Sequence, residues 1–233
     1  MRAGRVDRIR HLQPILHTRF TEIFGITYPV MAAPMALHSG GTLPSAVSAA
    51  GGLGSFGGTH PWKGPDWIRA EIATIRATTD RPFGVGFITP FLPFTEPLID
   101  AALKERPEII ALSFAAPQPW LARAKDAGAR VMCQVQNYSD AETAVAAGAD
   151  VLVSQGTEAG GHTGTMGLLP FLAGIVRRYP DVPVLAAGGI GDGRTLAAVL
   201  TVSWSRNSSV QCGGKATSRT PLRSPVTQEG MPS

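Results

Sequence analysis

Several features that define other protein classes are scarce in this sequence of 233 residues. It has only two cysteines, Cys133 and Cys212, which argues against a disulfide scaffold and favours a reducing compartment. No run reaches the roughly 18 uncharged apolar residues of a transmembrane helix. The basic start lacks the apolar core of a signal peptide. We therefore expect a cytoplasmic protein without a membrane partner.

Basic charge is also scarce in the body of the chain, although the formal net charge is +4. Residues 1–20 carry five Arg and one Asp, and residues 201–233 carry four Lys or Arg and one Glu. The stretch between them has 12 basic and 15 acidic side chains. Because no basic stripe with interleaved aromatics occurs, we expect no nucleic-acid partner. HExxH, paired CxxC and GxSxG motifs are absent, so no metal site or acyl-transfer nucleophile is predicted.

Short apolar runs, each followed by a helix-like segment, fill the middle of the chain. They cover residues 28–35, 52–58, 82–88, 109–116, 129–135, 149–156 and 183–190. Continuous apolar runs are typical of parallel strands buried on both faces. This rhythm fits either a closed barrel or an open doubly wound sheet. Polar or glycine residues at almost every run's C-terminal end favour the barrel, whose active sites combine many strand ends.

The rhythm stops near residue 200. Residues 201–233 are rich in Ser, Thr, Arg, Pro and Gly, which predicts a disordered tail. We divide the chain into a basic N-terminal extension (1–18), a barrel domain (19–200) and this atypical tail (201–233). The predicted fold class is α/β, a TIM-type (β/α)8 barrel that is incomplete because its eighth strand is missing.

The loop EAGGHTG (158–164) follows the sixth predicted strand. It holds His162 behind Gly160 and Gly161, with Gln155 at the end of the strand. Glycines let a backbone approach a ligand closely, and a histidine can act as a base near neutral pH. The alternative is a glycine-rich turn that carries a solvated histidine. In either case Glu158 reads as a solvated loop charge.

A second glycine-rich loop, AAGGIGDGRT (186–195), follows the seventh predicted strand. In phosphate-binding barrels this loop offers backbone N–H groups to the phosphate, here from Gly188 and Gly189. Its spacing matches a dinucleotide fingerprint only weakly, and no acidic partner follows about 20 residues later. The alternative is a tight turn between strand and helix.

Three other strand ends carry weaker signals. Ala33, Pro34 and Met35 offer small residues and a fixed φ against which a planar ring could lie, although methionine is more often a core residue. Gln134 is polar at the end of an apolar strand and needs a partner. Its neighbour Cys133 is interpreted as buried core rather than as a nucleophile.

Taken together, these motifs resemble the nitronate monooxygenase family, also called 2-nitropropane dioxygenase-like. The matching stretches fall in order across about residues 19–199: RFTEIFGITYPVMAAPMA, AVSAAGGLGSFGG, RPFGVGFIT, VMCQV, AETAVAAGADVLVSQGTEAGGHTGT and PVLAAGGIGDGRTLAA. The resemblance implies an FMN-dependent (β/α)8 barrel that oxidises alkyl nitronates with O2 and needs no metal. The implied partners are therefore a small alkyl nitronate and O2, and a homodimer is compatible with the family.

The resemblance also implies roles for particular residues. His162 matches the catalytic histidine that takes a proton from the α-carbon of the substrate. Gly86 stands where many members have Asn, which implies that one hydrogen bond to the flavin is either absent or replaced by one from Gln134. The implied FMN contacts are Ala33, Pro34, Met35, Gly86, Gln134, Gln155, Gly160, Gly161, Gly188 and Gly189.

The sequence departs from the family after about residue 200, where the family continues with an eighth strand of the type GADGVxxGTRF. The abrupt change in composition indicates a truncation or a frameshift. We expect such a chain to lose about half of its phosphate cradle and to leave unpaired edges on the first and seventh strands. Two alternatives therefore stay open. One is an NAD(P)H-dependent flavin reductase of the same fold that acts on an enoyl thioester or a quinone, and the other is an inactive remnant.

Overall fold

A computed structural model describes residues 16–202 and 208–212 of the chain. The strands are β1 (Val30–Ala32), β2 (Gly54–Gly57), β3 (Phe83–Ile88), β4 (Ile109–Ser113), β5 (Arg130–Val135), β6 (Val151–Gln155), β7 (Val184–Ala187) and β8 (Ser208–Cys212). The helices are α1 (Arg19–Phe24), α2 (Thr42–Ala49), α3 (Pro65–Thr78), α4 (Glu96–Lys104), α5 (Trp120–Asp126), α6 (Tyr138–Ala146), α7 (Leu168–Arg178) and α8 (Gly193–Val202). A 3-10 helix, Thr89–Phe94, follows β3.

All strand pairs are parallel, and their order is β1-β8-β7-β6-β5-β4-β3-β2. The two ends of this order meet. The N–H of Leu53 donates to the carbonyl oxygen of Val30 at 3.0 Å, and the N–H of Ala32 donates to that of Leu53 at 2.9 Å. The sheet therefore curls back on itself, and the predicted TIM-type barrel is confirmed.

Two apolar layers cover the two faces of the sheet. One lies inside the barrel and includes Met31, Met132 and Val153. The other lies between the sheet and the helices and includes Phe87 and Leu152. Because successive side chains of a strand point to opposite faces, strands covered on both sides must be apolar throughout. This explains why the strands appear in the sequence as continuous apolar runs.

The first seven strands each lie within their predicted ranges, but several end earlier than predicted. The run 109–116 is an example, since β4 ends at Ser113. The next residue, Phe114, has a φ of 73°, in the left-handed region where a strand cannot continue. The three extra residues therefore belong to the loop above the strand.

One part of the tail, where the sequence predicted disorder and no eighth strand, forms a strand instead. Residues 208–212 form β8, which pairs with β7 on one side and with β1 on the other. The N–H and C=O groups on the facing edges of β7 and β1 need hydrogen-bond partners, and the backbone of residues 208–212 pairs with both edges. The rest of the predicted tail (203–207 and 213–233) and residues 1–15 of the predicted extension lie outside the described residues.

Hydroxyl groups link neighbouring strands where the loops begin. The side chain of Thr59, beyond β2, accepts from the N–H of Ile88 at 2.8 Å, and that of Thr89, beyond β3, accepts from the N–H of Ser113 at 3.1 Å. These bonds fix the strand ends at the rim where the candidate site lies. None of the described helices is long and apolar enough to cross a membrane.

Candidate functional site

The carboxyl ends of the parallel strands meet at one rim of the barrel. On β2, β3 and β4 the inward positions near this rim hold small residues, Ser55, Gly86 and Ala111. On β5 and β6 the last inward positions, one step closer to the rim, hold Gln134, which pairs in register with Ser113 of β4, and Gln155. One side of the rim is therefore short of side chains, and the other side carries amide groups.

Three glutamines form a hydrogen-bonded network at this rim. The Oε1 of Gln155, whose side chain is buried, accepts from the Nε2 of Gln134 at 2.9 Å and from the Nε2 of Gln136 at 2.7 Å. The sequence predicted that Gln134 needs a hydrogen-bond partner, and that partner is Gln155. Gln136 was not predicted as a site residue. Its spacing of two from Gln134 in CQVQN is a signal for it, because residues two apart in an extended segment lie on the same face.

His162 lies on the loop after β6, and its side chain is exposed. Its ring meets the ring of Phe114 edge-on, with centroids 6.1 Å apart. Its backbone carbonyl accepts from the Nε2 of Gln136 at 2.9 Å. Gly161, just before it, has a φ of 82°, a conformation that favours glycine. The loop therefore places the imidazole beside Phe114 at the end of β4, and Gln136 at the end of β5 holds its backbone.

Glu158 anchors the other end of this loop. Its two carboxylate oxygens accept from the N–H of Leu168, the first residue of α7, at 3.0 and 3.2 Å. A carboxylate is stabilised at a helix N-terminus by the free N–H groups and the helix dipole. The expectation of a merely solvated charge is corrected, because Glu158 ties the loop to α7.

The loop after β7 packs against the loop after β6. Gly188 and Gly189 have φ values of 138° and 65°. A Cβ added to Gly188 would lie 3.0 Å from the backbone nitrogen of Ala159. The structure therefore brings the two predicted glycine-rich loops together, and only glycine suits this close approach.

Asp192 occupies the start of α8. Its Oδ1 accepts from the N–H of Thr195 at 2.8 Å, and this bond lowers the pKa of the carboxyl group. A negative charge thus already lies on the first turn of α8. Gly188 and Gly189, rather than this turn, remain the predicted donors to a phosphate.

Pro34 and Gly86 are in contact across the β1 side of the rim. A Cβ added to Gly86 would overlap the ring of Pro34. The larger side chain of an Asn at this position would therefore have no room beside Pro34. Met35 makes a tight turn, with its N–H donating to the carbonyl oxygen of Ala33 at 2.9 Å. In contrast, a Cβ on Gly160 would meet nothing within 4 Å, so that residue lies at an open loop tip.

These features fit a flat cofactor that carries a phosphate. The small residues of β2–β4 leave space, the glutamines supply amides, and the cradle at Gly188 is one that a side chain would fill. Within residues 16–202 and 208–212, no group of three or more His, Cys, Asp or Glu is placed to hold a metal ion. The groups gathered here are side-chain amides and backbone N–H donors, which suit an organic cofactor.

The model of one protein family, nitronate monooxygenase, matches residues 17–98 and 95–213. The chain belongs to the nitronate monooxygenase family. The match continues past residue 200 and includes β8. The likeness to the family therefore extends beyond residue 199, where the matching sequence motifs end.

Relatives of this chain are named for two different activities. A (3aS,4S,5R,7aS)-5-hydroxy-7a-methyl-1-oxo-octahydro-1H-indene-4-carboxyl-CoA dehydrogenase of Mycobacterium tuberculosis is 37% identical over 79% of this chain and 52% of its own length. A nitronate monooxygenase of Pseudomonas aeruginosa is 34% identical over 84% of this chain and 67% of its own. The chain thus spans only about half of the first relative.

Solved structures agree with the family assignment. FabK of Thermotoga maritima superposes with a TM-score of 0.77 at 33% identity, over 85% of this chain and 61% of that one. A nitroalkane oxidase of Streptomyces ansochromogenes gives a TM-score of 0.72 at 30% identity, over 83% and 66%. The family supports an oxidoreductase of the flavin-dependent kind.

Proposed function

We propose that this protein is an FMN-dependent oxidoreductase that oxidises alkyl nitronates with O2, with His162 as the base. The observation that carries the proposal is the anchored loop of His162. Gln136 holds the loop at the histidine and Glu158 holds it at α7, beside the amides of Gln134 and Gln155. A base must be held in place to act on a carbon-bound proton, and this loop meets that need.

The residues of the chain have distinct tasks in this proposal. His162 takes the proton from the α-carbon of the nitroalkane form of the substrate, and Phe114 restricts the tilt of its ring. Gln155 and Gln134 bind the polar edge of the cofactor, while Gly188 and Gly189 hold its phosphate. FMN, when bound, supplies the acceptor for the electrons that leave the substrate.

The test replaces the base and keeps the cofactor site. We expect His162→Asn to retain FMN and to lose about 10²- to 10⁴-fold in kcat with a nitroalkane and O2, the usual contribution of a general base. His17→Asn is the control, since His17 is an exposed histidine near α1, before the first strand. Full activity of His162→Asn would exclude His162 as the base.

A second candidate function has its own support. The 37% identical relative is named for a CoA thioester substrate. Large apolar side chains are exposed in the loops that follow the first four strands, at Leu37, Trp62, Phe91, Phe94 and Phe114. These observations favour an NAD(P)H-dependent flavin reductase that acts on an enoyl thioester or a quinone, because a bulky apolar substrate would cover such side chains.

One experiment separates the two candidates. The protein loaded with FMN is mixed without O2, first with NADPH or NADH and then, separately, with a nitronate. Rapid bleaching of the flavin by a nicotinamide alone supports the reductase. Bleaching by the nitronate alone supports the nitronate-oxidising enzyme.

A further inference from the structure

Gln136, the residue directly after β5, joins two parts of the candidate site through one amide group. Its Nε2 donates to the Oε1 of Gln155 at 2.7 Å and to the carbonyl oxygen of His162 at 2.9 Å. An amide nitrogen carries two N–H groups, so these two bonds use both. The backbone N–H of Gln136 also donates to Asp140 in the first turn of α6, at 3.3 Å. Gln136 is thereby held at both its backbone and its side chain.

The carbonyl oxygen of His162 sets the direction of the whole network. A backbone carbonyl can only accept, so Gln136 must turn its Nε2 toward it. The second N–H of the same nitrogen points to Gln155, which must therefore present its Oε1. Gln134 occupies the remaining lone pair of that oxygen. The Nε2 of Gln155 is left with two N–H groups and, among the described residues, no hydrogen-bond partner.

We propose that Gln136 is a positioning residue. It fixes Gln155 as a hydrogen-bond donor toward the cofactor, and it holds the backbone of the catalytic loop at His162. The inference rests on the proposed FMN-dependent function. A flavin ring offers carbonyl and ring-nitrogen acceptors to such a donor, and a donor that is already oriented loses less freedom when the ligand binds.

The first test needs no cofactor. Gln136→Met removes both donors at nearly constant volume, whereas Gln136→Lys keeps a donor-only group. Hydrogen exchange is followed in the full chain at the amides of Thr157 and Ala159, which bond to backbone carbonyls within the loop. We expect about tenfold faster exchange in Gln136→Met, from the loss of about one net hydrogen bond, and a rate near the wild-type value in Gln136→Lys. Unchanged exchange in Gln136→Met would overturn the role in holding the loop.

The second test asks whether Gln136 acts through Gln155. FMN dissociation constants are measured for the wild type, Gln136→Met, Gln155→Met and the double variant. We expect each single change to weaken binding about tenfold and the double variant to match Gln155→Met alone, because coupled residues are not additive. Additive losses of about a hundredfold would show that Gln136 does not orient Gln155. A wild-type chain that does not bind FMN would instead refute the proposed function, and the exchange comparison would still decide the role in the loop.

Discussion

Burial decides the chemistry of Cys133. Its side chain is only 4% exposed and packs in the layer between the sheet and the helices. Burial raises the pKa of its thiol to about 12, and the nearby charge of Asp150 adds to the effect. The reactive thiolate is therefore almost absent at neutral pH. The interpretation of Cys133 as core rather than nucleophile is confirmed.

We expect iodoacetamide at pH 8 to leave Cys133 unmodified in the folded protein and to alkylate it in urea, as read by mass spectrometry of its peptide. The raised pKa also means that the folded state holds this proton more tightly. Its contribution to stability is full below the ordinary value of 9.0 and is lost as pH rises toward about 12. Cys133→Ala should remove that part of the alkaline decline. Rapid alkylation of the native protein would contradict the burial argument.

Gly86 and Pro34 give a residue-scale prediction for stability. Because a Cβ at Gly86 would overlap the ring of Pro34, Gly86→Ala should lower the free energy of unfolding by about 1–3 kcal/mol. Urea titration measures the change. Gly64→Ala is the control, since a Cβ there would meet nothing within 4 Å. Equal stability of both variants would mean that Pro34 moves aside freely.

At the residue scale, the sequence predicted which residues are polar and need partners better than it predicted which side chains contact each other. Gln134 stood out because a polar group in an apolar strand needs a partner, and the partner proved to be another predicted residue, Gln155. Gln136 and Phe114 were missed. Each is the first residue after its strand, and their roles depend on where the His162 loop returns in space, which the local sequence pattern does not encode.

Among the elements, β8 shows how context can override composition. Its sequence, SSVQC, lacks the apolar run by which the other strands were recognised. The strand forms because β1 and β7 present facing edges, and a barrel completes its hydrogen bonds only when that gap is filled. The first seven strands could be predicted because their apolar runs reflect burial on both faces. The eighth strand could not be predicted in this way, because its formation depends on the facing edges of β1 and β7 rather than on its own sequence.

Proline at position 210 tests this element. Val210 pairs with Val30 of β1 and with Ala186 of β7. Val210→Pro removes a backbone donor from the ladder, and we expect it to cost about 3 kcal/mol of unfolding free energy in urea titrations. Val210→Thr keeps the donor and should stay close to the wild type. Identical stability of the proline variant would show that β8 does not support the barrel in solution.

On the scale of the whole molecule, the described residues form one curled sheet of eight parallel strands in a chain shorter than its relatives. It spans about half of one relative and about two thirds of another. Large exposed apolar side chains lie in the loops that follow the first four strands. The central claim is that the eight described strands and their loops suffice to hold FMN, although the chain is shorter than these relatives.

Cofactor retention is the most direct test of that claim. The purified full-length chain is mixed with excess FMN and desalted, and its visible absorption is compared with its protein content, with circular dichroism as the check on folding. The account predicts about one FMN retained per chain. A folded chain that emerges without flavin would contradict it, and the inactive remnant would then be the correct interpretation.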